Sequence, residues 1–407
     1  MLTESDTRAK LIDPAIHQRG WTEDLIRREE TAGFVEIIEG QPRRRPRGRI
    51  DYLLRIKVTR ESQAIALALI EAKAEHLPPT HGLEQAKLYA ACKRLMVPFV
   101  YSSNGHLFVE FDSFTGKTSA PRPLSEFPTP DELRRRYEYG RGFSLSCKEA
   151  QPLLARYTGG EATRRYYQDA AIRAVLEKNA HGEKRALLSL ATGSGKTFIA
   201  VNLLKRIADA KQLRRAIFIC DRDELRSQGL AAFQNVFGSD AAPVSSGNPQ
   251  KNARILIATY QTLDVDRDDA DANFLLTNYP ENYFSHIVID ECHRSAWGKW
   301  SQILTRNSEA VQIGLTATPR RLEIKEDNKE ARDDARITAD NYKWFGEPVY
   351  QYEMAQGIED GYLAACEVLK GRVNIDDTGI TIEDIIARNP VEAVTGQPIS
   401  ADEIKAL

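Results

Sequence analysis

The sequence predicts an α/β chain in two parts, a small domain of mixed strands and helices followed by a larger domain on a parallel sheet. Two observations carry this. From residue 185 to 317 short apolar runs alternate with longer helical ones, the pattern of parallel strands joined by helical crossovers. Before residue 125 the apolar runs are short and close together, and Asn104-Gly105 between two of them marks a hairpin.

Taken in order, residues 1–125 open with a polar stretch, WTEDLIRREETAG (21–33), read as a helix. FVEII, RIDYLLRI and AIALALIEAK follow as strands, LEQAKLYAACKRL has helical spacing, and PFVYSS and HLFVEFD flank the Asn-Gly turn. Residues 126–160 are rich in Pro, Gly and Arg and read as a linker. The parallel-sheet domain spans 161–345. Its strands are RALLSL, RRAIFIC, ARILIATY, HIVIDE and VQIGLTA, and its helices include TFIAVNLLKRIADA and ELRSQGLAAFQNVF. Residues 320–345 are charged and poor in apolar side chains, expected as a loop or solvated helix. Residues 346–407 read as the passage toward a further, truncated domain.

At 407 residues the chain has material for two or three cores. Lys and Arg total 56 against 58 Asp and Glu, a net charge of −2, so any attraction to nucleic acid must come from local basic patches. The five cysteines are scattered without C-x-x-C spacing and read as reduced thiols. No stretch has the apolar length of a signal peptide core or a membrane span, so a cytoplasmic protein without a membrane partner is expected.

The strongest chemical signal is LLSLATGSGKTFIAVNLL. A strand ends at Leu190, a loop with Gly193, Ser194 and Gly195 follows, and a helix starts near Lys196. Backbone N–H groups and a helix N-terminus then converge on one spot, which suits phosphate. Lys196 is expected on the β and γ phosphates of ATP and the Thr197 hydroxyl on Mg²⁺. The strict pattern wants Gly at position 190, where this chain has Leu. About a hundred residues on, HIVIDECHRS ends a strand in Asp290, expected on Mg²⁺, and Glu291, expected to serve the attacking water.

The phosphate loop, DECH and GLTATPRR together resemble superfamily 2 helicases and translocases of the DEAD/H-box type, whose motor domains are RecA-like. The resemblance implies that Gln168, in RRYYQDAAIRAV, contacts adenine. It implies a coupling role for His293, Thr316 and Thr318, and backbone contacts to nucleic acid from DRDELRSQ and IATYQTL.

In the first domain, Glu71 and Lys73 stand two apart on a strand and leave by one face. Asp51 lies in a strand-like run twenty residues earlier. If the strands pair, Asp51 and Glu71 can share a hard divalent cation, with Lys73 beside the water it activates. Gln85 and Tyr89, four apart on a helix, can lean over the same centre. An isolated Glu-x-Lys is more often an ordinary surface strand, but charge this deep in an apolar run argues for a use.

GRIDYLL, ALIEAKAE, GLEQAKLYA, VPFVYSSNG and FPTPDELRRRY resemble, in that order, the front of the restriction or motor (R) subunit of type I restriction-modification enzymes. That resemblance, covering nearly the whole chain, implies a PD-(D/E)XK nuclease fold. Asp51, Glu71 and Lys73 are then catalytic, Asp51 and Glu71 hold Mg²⁺, and Gln85 and Tyr89 form the family's Q-x-x-x-Y element. No Pro precedes Asp51, and Glu30, taken as part of the first helix, is a further candidate acid. Arg43, Arg44, Arg45, Arg47 and Arg49, just before Asp51, read as a lip that grips DNA phosphates. The implied partners are double-stranded DNA and the methyltransferase (M) and specificity (S) subunits. Two rivals remain open: a stand-alone superfamily 2 helicase with an unrelated front domain, and a front domain of nuclease fold that only docks DNA or protein.

Overall fold

The computed structural model describes residues 2–31, 34–38, 41–45, 49–90, 95–157, 165–220, 223–245, 247–263, 274–290, 297–317 and 342–364. Among the described residues the first part holds nine strands: β1 (Ile26–Thr31), β2 (Phe34–Ile38), β3 (Gln41–Arg45), β4 (Arg49–Ile56), β5 (Ile65–Ala72), β6 (Phe99–Ser103), β7 (Leu107–Asp112), β8 (Lys117–Thr118) and β9 (Arg122–Pro123). Seven form one sheet in the order β1-β4-β5-β6-β7-β8, with β9 also on β7, while β2 and β3 pair with each other. Every pair in the large sheet is antiparallel except β5 with β6. Parallel neighbours need a crossover, and the helix Leu83–Ala90 lies within it.

Strand β5 is apolar along nearly its whole length because it is central and covered on both faces; Leu67, Ala68, Leu69, Ile70 and Ala72 are buried. Its partner β4 pairs Tyr52 with Ile70, which puts Asp51 and Glu71 next to each other along the ladder. Past Ser103, Gly105 takes the turn with φ +90°, as the Asn-Gly signal predicts.

Two parts of the sequence reading differ from what is observed. Residues 21–31 are not a helix: a 3-10 turn at Glu23–Leu25 leads into β1, whose Ile26 pairs with Leu54 of β4 and is buried. Long-range pairing at the sheet edge overrides the local preference of these polar residues. The helical opening of the chain lies earlier, between residues 4 and 18. The stretch 126–160 carries the helix Pro130–Arg141, begun by a Thr129/Glu132 capping box and ended by Gly142 at φ +72°. Its Leu133 and Tyr137 are fully buried, so the Pro and Gly read as linker signals are the start and stop of a packed helix.

The second part carries β10 (Arg185–Leu190), β11 (Ala216–Cys220), β12 (Ala241–Pro243), β13 (Ile255–Thr259), β14 (His286–Ile289), β15 (Val311–Thr316) and β16 (Tyr350–Tyr352). They make a parallel sheet in the order β12-β13-β11-β14-β15-β10-β16. The helices Lys196–Asp209 and Asp223–Phe237 follow β10 and β11, as the alternation predicts. Because the strands are parallel, the ends of β10, β14 and β15 open on one edge of the sheet, where such folds place their ligands. The charged stretch 320–345 falls almost wholly outside the described residues, as do residues 365–407. Among the described residues no helix is long and apolar enough to cross a membrane.

Candidate functional site

Antiparallel pairing of β4 and β5 brings Asp51 to Glu71, and Lys73 follows one residue past the end of β5. All three are buried, at 7%, 3% and 8% exposure. Lys73 Nζ donates to Glu71 Oε1 at 2.8 Å and lies 3.8 Å from Glu4 Oε2. Asp51 Oδ2 accepts from the Ala72 N–H at 2.7 Å, and its Oδ1 accepts from Arg8 Nη1 at 2.7 Å. Glu71 Oε2 is buried with no hydrogen-bond partner among the described residues.

Burial raises the Glu71 carboxyl to about 7; the Lys73 hydrogen bond pulls it down, and the Asp51 charge pushes it up again. Burial likewise raises Asp51, against the Ala72 N–H and the Arg8 charge. Burial disfavours the Lys73 ammonium, but Glu71, Glu4 and Asp51 outweigh it and raise its pKa. Two carboxyls that resist ionising side by side make a place where a divalent cation is favoured, because it neutralises both. Among the described residues no group of three or more His, Cys, Asp or Glu side chains is placed to hold a metal. Asp51 and Glu71 alone fit Mg²⁺, which commonly takes one or two carboxylates and keeps several waters.

Gln85 is exposed on the helix Leu83–Ala90; Tyr89 is on the same helix, with its side chain outside the described residues. Arg43, Arg44 and Arg45 lie on β3 and Arg49 opens β4, but no side chain of the five arginines is among those described; Arg47 is outside altogether. Glu30 lies on β1, not on a helix, and its side chain is likewise outside.

The second constellation is at the end of β10. The loop between Leu190 and the helix Lys196–Asp209 turns on Gly193 (φ +81°) and Gly195 (φ +88°). A Cβ on Gly195 would come within 2.8 Å of Gln168 Nε2, so the loop is closed as well as bent. Leu190 is buried and pairs with Tyr352 of β16, which explains why a side chain is tolerated where the usual pattern has Gly. Lys196 is buried, with Nζ 3.4 Å from the Leu190 carbonyl, and Thr197 is half-buried beside it. The Ser194 carbonyl accepts from Tyr167 Oη at 2.6 Å and from Gln168 Nε2 at 3.2 Å. Gln168 Oε1 accepts from the Arg165 N–H, so this glutamine bridges helix start and phosphate loop.

Asp290 is buried directly after β14, its N–H bonded to the Ile219 carbonyl. Thr316 ends β15, paired with Ser189 of β10. Lys196, Thr197, Asp290 and Thr316 therefore share one edge of the sheet, where the donor set suits a nucleotide with its Mg²⁺. Glu291, His293 and Thr318 lie outside the described residues.

Three residues at the acidic centre carry no sequence signal of their own. Arg8, 43 positions before Asp51, reaches it from the opening helical segment. Ser102 faces Glu71 across β5 and β6. Gly82 leaves room for both: a Cβ there would lie 2.6 Å from Lys73 Cε, 2.8 Å from Glu71 Cγ and 2.8 Å from Ser102 Oγ.

Residues 161–321 match the family described as type III restriction enzyme, res subunit. Over 93% of its length the chain is 33% identical to the endonuclease subunit of the type I restriction enzyme EcoAI from Escherichia coli, covering 45% of that protein. The corresponding EcoKI subunit of Escherichia coli K12 is 26% identical over 72% of the chain and 26% of the relative. Among solved structures, a fragment described as an HsdR subunit of a type I restriction enzyme from Vibrio vulnificus YJ016 matches with a TM-score of 0.68. It is 33% identical, over 88% of this chain and 61% of that one. The chain spans less than half the length of these two curated relatives.

Proposed function

For a chain similar along nearly its whole length to the endonuclease (R) subunits of type I restriction enzymes, we propose the role of the front part of such a subunit. It carries a Mg²⁺-dependent DNA-cleaving centre of PD-(D/E)XK type joined to the first RecA-like half of an ATP-driven double-stranded DNA translocase. The whole subunit works in complex with M and S subunits, which choose the target sequence.

In the first part, Asp51 and Glu71 hold the cation. When bound, Mg²⁺ activates water and polarises the phosphodiester. Lys73 fixes the Glu71 carboxylate and neutralises charge beside the scissile phosphate, and Gln85 and Tyr89 border the centre from their helix. The five arginines 43, 44, 45, 47 and 49 grip the DNA backbone. In the second part, the backbone of Gly193, Ser194 and Gly195 with Lys196 holds the phosphates of ATP, and Thr197 and Asp290 hold its Mg²⁺. Gln168 reads the adenine, Glu291 orients the attacking water, and His293, Thr316 and Thr318 pass the phosphate state to the rest of the motor.

The observation that carries the reading is the buried Glu71–Lys73 pair beside Asp51, with one Glu71 oxygen lacking a hydrogen-bond partner among the described residues. Calorimetric titration of the nucleotide-free chain with Mn²⁺ tests it: one cation should bind, and Asp51→Ala and Glu71→Ala should each abolish the heat. Uptake unchanged in both variants would refute the metal centre.

One observation favours the docking alternative. The Arg8 guanidinium occupies Asp51 Oδ1, so both Asp51 oxygens already have partners. In that reading Arg8 permanently replaces the metal, and the same titration gives no binding to the wild-type chain while Arg8→Ala creates it.

A further inference from the structure

We propose that Ser102 is a positioning residue of the acidic centre, its hydroxyl turning to donate to the Glu71 carboxylate once a divalent cation is bound there and holding it in the orientation that keeps the cation. The inference rests on the metal-centre reading above and adds a residue to it. Strands β5 and β6 run parallel with Glu71 opposite Ser102 and Ala72 opposite Ser103. Successive side chains on a strand point to opposite faces, so the two serines serve different ends.

Ser103 Oγ donates to the Leu107 carbonyl at 2.9 Å and accepts from the Gly105 N–H at 3.0 Å, which closes the hairpin. Ser102 is fully buried, and among the described residues its Oγ has no hydrogen-bond partner; the same holds for Glu71 Oε2. Gly82 ties the two together, since its missing Cβ would sit 2.8 Å from both Ser102 Oγ and Glu71 Cγ. A buried hydroxyl without a partner weakens a fold, and alanine would fill the same space without that cost. A hydroxyl kept there, beside a carboxylate oxygen in the same condition, is explained by a ligand that needs both. Groups that orient metal-binding carboxylates change metal affinity when removed, typically by 10- to 100-fold.

The experiment is calorimetric Mn²⁺ binding to the full chain without nucleotide, with thermal unfolding of each metal-free variant alongside. Ser102→Ala should bind Mn²⁺ about 10-fold more weakly or worse, while its metal-free melting temperature stays level or rises. Ser102→Thr, which keeps the hydroxyl, should bind more tightly than Ser102→Ala. Equal affinity in wild type and Ser102→Ala overturns the role of Ser102, as does a loss of affinity that Ser102→Thr fails to relieve although it melts like wild type. A wild-type chain that takes up no Mn²⁺, or takes it up unchanged in Glu71→Ala, refutes the metal centre itself.

Discussion

Glu71 is the residue whose environment has the most consequence. Its carboxyl is raised to about 7 from an ordinary 4.5, first by burial. Between those two values the folded chain holds a proton that the unfolded chain has released. This contribution to stability is therefore full below pH 4.5 and is lost as pH rises through 7. The proposed cation would bind the ionised form, so its affinity should run the other way. We expect Mn²⁺ affinity to rise about 10-fold per pH unit up to about 7 and to level off above it. Titrations between pH 5.5 and 8.5 check this, and a flat profile would contradict a raised Glu71. Asp51, Glu71 and Lys73 are legible in the sequence because charge deep in an apolar strand stands out and the period of two puts Glu71 and Lys73 on one face. Arg8, Gly82 and Ser102 are not: a helical arginine, a glycine before a helix and a strand serine are each commonplace, and only the tertiary fold brings them together, Ser102 through the register of β5 and β6, Arg8 from the opening helical segment and Gly82 from the turn before the helix Leu83–Ala90.

Among the elements, β10, β11, β13, β14 and β15 are legible nearly to the residue, because a parallel sheet covered on both faces demands continuous apolar runs, while the short edge strands β12 and β16 are not. The glycine loop after β10 is legible too, down to the helix start at Lys196. What misled was the sheet edge, where β1 is made of polar residues whose only instruction to be a strand comes from β4. Strand β14 supports a second prediction. Its first residue, His286, is buried, and burial lowers its pKa to about 4, with Ser285 Oγ 3.0 Å from Nδ1. The unfolded chain takes up a proton near 6.5 while the folded chain refuses it until about 4. Stability is thus full above 6.5 and lost as pH falls toward 4. His286→Leu should flatten that part of the profile of melting temperature against pH, whereas a profile as steep as wild type would place the acid sensitivity elsewhere.

At the scale of the whole molecule, the two parts are joined by buried polar contacts that neither motif search nor hydropathy could reveal. Arg173, on the helix Tyr166–Ala180 that also carries Gln168, reaches back into the first part. Its guanidinium donates to the carbonyls of Ala66, at 2.6 Å, Met96, at 3.0 Å, and Leu95. Ala66 lies on β5, the strand that ends in Glu71 and Ala72. One turn on, Glu177 accepts from Tyr137 Oη at 2.6 Å and pairs with Arg141, both from the helix Pro130–Arg141. One helix thus touches the phosphate loop at its start and the strand of the acidic centre at its middle. Such a helix makes the two parts unfold together, since neither can lose its core without uncovering charged groups that the other satisfies. Arg173→Ala removes the donor from three buried carbonyls and should cost about 3 kcal/mol or more. Scanning calorimetry should then resolve two transitions where the wild type has one, with the first part melting earlier. Arg173→Lys keeps the charge but lacks the planar fork that reaches several carbonyls at once, and should fall between. If Arg173→Ala melts as a single transition at the wild-type temperature, the parts are held by their apolar contact alone.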